Sequence, residues 1–83
     1  MRGFIYEKYD QLQKTRKILE DNITRYLREK DKSARWLSIK IGKNEWYITR
    51  MLNGKIDPSL QVISKIAEIL CVSAADLFSK NDG

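Results

Sequence analysis

The chain is 83 residues long, 42% hydrophobic and 33% charged, the mixture expected of a single globular domain. It has no histidine and a single cysteine, Cys71. That excludes an intrachain disulfide framework, a Cys/His zinc site, and nucleophilic catalysis through a Ser–His or Cys–His pair. The formal charge is +5, and it is uneven: residues 1–32 carry +3, residues 33–58 carry +3 and residues 59–83 carry −1. A basic front suggests a polyanionic partner such as nucleic acid. The longest apolar run, Ile69-Leu70-Cys71-Val72, is far short of the ~18 residues of a membrane helix. The start of the chain lacks the apolar stretch of a secretory signal, so a cytoplasmic protein with no membrane partner is expected. No cofactor or metal is implied, and the composition argues against an enzyme.

Inside the chain only Gly42, Gly54 and Pro58 interrupt helical periodicity, and no run alternates as a strand would. The expected fold class is therefore all-α. From Phe4 to Lys30 nothing breaks a helix, and its apolar positions are Ile5, Tyr9, Leu12, Leu19, Ile23 and Tyr26/Leu27. Arg16 interrupts that 4-3 series, so the stretch fits either one long helix or an extension followed by a helix from about Arg16. Ser33 is the N-cap of a second helix with Trp36, Leu37 and Ile41 inward, ended by Gly42. Asn44 caps a third helix with Ile48, Met51 and Leu52 inward, closed by Asn53-Gly54, both of which tolerate the left-handed conformation. Ser59 caps a fourth helix with a stripe of Leu60, Ile63, Ile66/Ala67 and Leu70. Ser73 caps a last short helix that gives Leu77 and Phe78 to the core, and the tail from 80 to 83 is expected to be loose.

Residues 34–55 hold two short helices and a glycine turn in about twenty positions. Ser38 is the small residue where the helices cross, and Gly42 accepts the positive φ of the turn. Leu37, Ile41, Ile48 and Met51 face inward, which is the pattern of a helix-turn-helix. The blocks Leu37–Gly42, Ile48–Lys55, Pro58-Ser59-Leu60, Ile66–Leu70, Val72-Ser73 and Asp76-Leu77-Phe78 resemble the lambda-repressor-like domain of Cro/C1-type (XRE family) regulators. The resemblance covers about residues 18–79, with residues 1–17 an amphipathic N-terminal extension. It implies five helices around one core, the third lying in the DNA major groove, and commonly a homodimer on paired half-sites. Ser38 stands in place of the usual alanine, Lys43 in place of a frequent apolar residue, and Cys71 in place of a common glycine. Ala34 stands where many members carry a glutamine, so the contact of that glutamine is not expected here.

With Ile48, Met51 and Leu52 inward, the outer face of the third helix shows Trp46, Tyr47, Thr49 and Arg50, with Glu45 at its N-terminal edge. These five are the candidate base-contacting residues. Arg50 suits guanine O6 and N7, Trp46 or Tyr47 suits thymine methyls or the sugar-phosphate wall, and Glu45 suits either cytosine N4 or the helix N-terminus. One of the aromatics could instead fold back onto the body as satellite core. Candidate phosphate contacts are Ser33, Arg35, Lys43, Asn44, Asn53 and Lys55, of which Ser33 and Asn44 also serve as caps. The resulting expectation is a sequence-specific double-stranded DNA-binding regulator, a repressor, with regulation through dimerisation, site occupancy or another protein. An antitoxin of the same fold, neutralising a toxin through its apolar front segment, is the second reading. The third is a protein-interaction module that has lost DNA recognition.

Overall fold

A computed structural model describes residues 2–80, with side chains from Asp10 onward. Five helices follow in chain order: α1 (Arg2–Glu29), α2 (Ala34–Lys40), α3 (Tyr47–Leu52), α4 (Leu60–Leu70) and α5 (Ala74–Leu77). There is no strand among the described residues. None of these helices is long and apolar enough to cross a membrane.

The core is assembled from one stripe of each helix. Leu19, Ile23 and Leu27 of α1 meet Leu37 and Ile41 at α2, Ile48 and Met51 of α3, and Leu77 of α5. Through the middle runs α4, which contributes Val62, Ile63, Ile66, Ala67 and Leu70. Burying such side chains is worth roughly 1.5–3 kcal/mol each, which lets helices of four to eleven residues persist. Two expected core members fall outside it. Leu60 is 81% exposed, because it starts α4 at the edge of the stripe with nothing beyond to cover it, and Phe78 remains 37% exposed at the end of α5.

Of the two readings of the front segment, the continuous helix is the one found. α1 runs 28 residues, about 42 Å at 1.5 Å per residue, against a longest molecular dimension of 43 Å. Among the described side chains, those that α1 gives to the core come from its second half, and Leu12 is 45% exposed. The side chains of Phe4, Ile5, Tyr6 and Tyr9, and the tail beyond Lys80, lie outside the described residues. Arg16 marks the crossover between the two halves of α1. Its Nε and Nη2 donate to the two carboxylate oxygens of Asp57 at 2.8 and 2.7 Å, tying α1 to the loop between α3 and α4. That guanidinium holds the Asp57 carboxyl below its ordinary value. Further along, buried Asn22 donates to the carbonyls of Leu77 at 2.9 Å and Ser79 at 2.8 Å, which anchors α5 on α1.

Four helices end in the same closure. An amide two or three residues past the helix end reaches back to a carbonyl five residues earlier, as in Lys32 to Leu27, Lys43 to Ser38, Lys55 to Arg50 and Val72 to Ala67. The residue before each of these donors takes positive φ: Asp31 (55°), Gly42 (79°), Gly54 (74°) and Cys71 (61°). Asn53 stays at φ −94°, so Gly54 alone makes the left-handed step there. Asp31 and Cys71 bear a Cβ penalty that glycine avoids. Cys71→Gly is accordingly expected to raise unfolding stability by about 0.5–1 kcal/mol, after glycine's larger backbone entropy is offset. Urea titration followed by circular dichroism measures this, and an unchanged midpoint would refute the strain.

Candidate nucleic-acid interface

The two helices that frame the site are built from opposite kinds of end. The Ser33 Oγ accepts from the amide of Trp36 at 3.0 Å and starts α2, as its position before an apolar stripe predicts. Gly42 turns the chain out of α2, and Lys43 and Asn44 carry it to the next element. Here the structure departs from the sequence reading. The Asn44 Oδ1 accepts from the amide of Trp46, two residues on, at 2.8 Å, while the Asn44 carbonyl accepts from Tyr47 at 3.0 Å. Asparagine closes an Asx turn in this way, and the turn occupies residues that would otherwise have wound as helix. The third helix therefore begins at Tyr47 rather than Asn44, with Trp46 as its N-cap in place of Asn44.

Starting late leaves an orphan. A helix running from Asn44 would bond the amide of Ile48 to its own fourth-previous carbonyl, yet that carbonyl is already engaged by Tyr47. The Ile48 amide donates instead to the Oγ of Ser38 at 2.9 Å, and Ser38 donates onward to the Ala34 carbonyl at 2.8 Å. Ser38 is fully buried. It is thus more than a small residue at a helix crossing: its hydroxyl fixes α3 to α2 from behind.

Of the eleven candidate contact residues, none is buried. Ser33, Arg35, Lys43, Asn44, Trp46, Arg50, Asn53 and Lys55 are exposed, and Glu45, Tyr47 and Thr49 are half-buried. All lie on the start of α2, the turn, α3 and its closing loop, so the fold gathers them on neighbouring elements. Trp46 is 56% exposed although it is a large aromatic. Tyr47 is the aromatic that folds back: its ring packs on the core with the Lys43 ammonium 5.5 Å from its centroid. Burial pushes its phenol up from the ordinary value, keeping it a neutral hydroxyl donor. Lys32 stands similarly over Trp36, at 5.3 Å. Arg50 projects from α3 with no ion pair among the described residues.

One pairing was not legible in the sequence. The Arg35 Nε donates to Glu45 Oε2 at 2.8 Å, linking a candidate phosphate contact to a candidate base contact. The two are ten residues apart across a turn, outside any helical i, i+3 or i, i+4 relation that periodicity could reveal. Glu45 also precedes α3 by two residues, and the first turn of that helix contains no acid. Its partner is therefore the arginine and not the helix N-terminus. A groove of about 640 Å³ is lined by α1 residues from Gln11 to Asn22 together with Lys80, and shares no residue with this surface.

The helix-turn-helix family profile matches residues 23–77, from the last quarter of α1 through α5. No curated protein and no solved structure matches the chain. Two short helices crossing at Ser38 and bearing their exposed cations on adjoining elements agree with that match, and the chain belongs to the helix-turn-helix family of the Cro/C1 (XRE) type, a DNA-binding regulatory domain.

Proposed function

We propose that the protein is a sequence-specific regulator of transcription, a repressor, that reads the major groove of double-stranded DNA with the segment from Asn44 to Leu52. The observation that carries this reading is α3 itself. Its inner side, Ile48 and Met51, is sealed in the core while the side chains of Trp46 and Arg50 stand in solvent with no hydrogen bond or ion pair among the described residues. A soluble domain gains nothing in stability from such a pair, whereas a groove would cover both. Lys43 and Asn44 before the helix and Asn53 and Lys55 after it suit the two phosphate walls, with Ser33 and Arg35 adding to one of them. In this reading repression follows from occupancy of the site.

The protein acts as a homodimer in this reading, with two half-sites about one helical turn apart. The length of α1 supports it, since Leu12 is 45% exposed although it belongs to the apolar series of a helix of 28 residues. In one experiment, duplexes are selected from a random pool at two salt concentrations. The expected result is an inverted-repeat consensus whose affinity falls by roughly 0.9 log units per contacted phosphate for each log unit of salt. A single, unrepeated site would refute the dimer, and no enrichment at all would refute the regulator.

A further inference from the structure

We propose that Arg35 is a positioning residue that holds Glu45 as the reader of a base edge presenting a hydrogen-bond donor, the N4 amino group of cytosine. This rests on the reading of α3 as a major-groove element and goes on to assign one base preference within it.

The argument begins with charge. Residues 33–58 contain only two acids, Glu45 and Asp57, and each is paired to an arginine. Asp57 is paired through both its oxygens, which leaves it little capacity for another donor. Glu45 is paired through one: Nε of Arg35 meets Oε2 alone. The Oε1 of Glu45 and the terminal nitrogens of Arg35 have no other partner among the described residues. Both side chains remain open to solvent, at 67% for Arg35 and 42% for Glu45.

An unpaired carboxylate at the mouth of the groove would repel phosphate, so its presence there needs compensation. Arg35 supplies it, and the single-toothed geometry leaves both members with their outward atoms free. The guanidinium's terminal nitrogens suit a phosphate oxygen, while the free carboxylate oxygen can only accept. In the major groove guanine offers N7 and O6 and thymine offers O4, all acceptors that a carboxylate repels. Adenine offers its amino group beside the acceptor N7, and cytosine offers its amino group with no acceptor beside it. A fixed carboxylate therefore selects cytosine. Arg35 fixes it by tethering it to the backbone-contacting side of the interface, so that phosphate register sets where the base is read.

The test is duplex selection with the full chain carrying Glu45→Gln, Arg35→Met, or both, beside the wild type. Glutamine is isosteric and methionine keeps the length, and far-UV circular dichroism confirms folding of each. The wild type is expected to enrich cytosine at one position, and Glu45→Gln to relax that preference by about fivefold or more, the low end of the cost of one mismatched pair. Arg35→Met is expected to relax the same position and also to lower the salt slope by about 0.9. The double variant should relax it no further than Glu45→Gln alone. An Arg35→Met chain with a lowered slope and an intact cytosine preference would overturn the positioning role. A consensus untouched by Glu45→Gln would overturn the readout while leaving the regulator standing; a wild type that enriches no duplex removes the regulator, and this pair with it.

Discussion

Arg50→Ala is expected to lower affinity for the selected duplex by about 5- to 150-fold, the span of a lost bidentate contact to guanine. The loss should fall on one base position, with discrimination there collapsing and preferences elsewhere retained. Folding is not the cause, because the Arg50 side chain is exposed and alanine is the stronger helix former. The contrast is Lys55→Ala, in the loop after α3, which should weaken binding evenly across sequences and reduce the salt slope by about one phosphate's worth. Titrations of both variants against the selected duplex and a scrambled one, each at two salt concentrations, separate the outcomes. Uniform loss from Arg50→Ala would mean a phosphate contact instead of a base contact.

The second large effect is on stability. Ser38→Ala is expected to cost about 1–3 kcal/mol, because the Ile48 amide, fully buried, loses its acceptor. Among the protein's own groups, the Asn44 carbonyl could take the Ile48 amide if the turn rewound into helix, and that would displace Trp46 and Glu45. The variant should therefore show lower denaturation midpoints together with altered Trp46 fluorescence. Ser38→Thr keeps the hydroxyl but must fit a methyl group into a filled crossing, so it tests packing separately from hydrogen bonding. Retained stability in Ser38→Ala would mean that water or a rewound turn satisfies the amide at no cost.

Much of the fold was readable because it rests on periodicity and punctuation. The stripes at Leu37/Ile41, Ile48/Met51 and Ile63/Ile66/Ala67/Leu70 are buried as spaced, and Ser33, Ser59 and Ser73 cap the helices that follow them. Gly42 and Gly54 take the positive φ expected of them, and Cys71 takes it without being a glycine. The misses occurred where one side chain overrides a local pattern. Asn44 reads as an N-cap, yet its carboxamide and carbonyl are both spent on a turn, which delays α3 by three residues. Leu60 fits the period of α4 but starts the helix, where periodicity carries no information about what lies above it. That the candidate contact residues are unburied was legible as a set, since none of them belongs to an inward stripe. Their partners were not. Arg35–Glu45, Arg16–Asp57 and Ser38–Ile48 join distant segments through single polar atoms, and such pairs leave no periodic trace.

A helix of six residues owns too few hydrogen bonds to stand in water unaided. What gives α3 its shape is the wall behind it: Ile48 and Met51 embedded in the interior, and the hydroxyl of Ser38 gripping its first turn. α3 thus has no rigidity of its own, and its geometry lasts only while the whole interior is intact. If α3 is the DNA-reading element proposed above, competence to bind and global foldedness become one quantity, and a cavity cut at Leu70, on the far helix, is expected to lower binding in proportion to the fraction it unfolds.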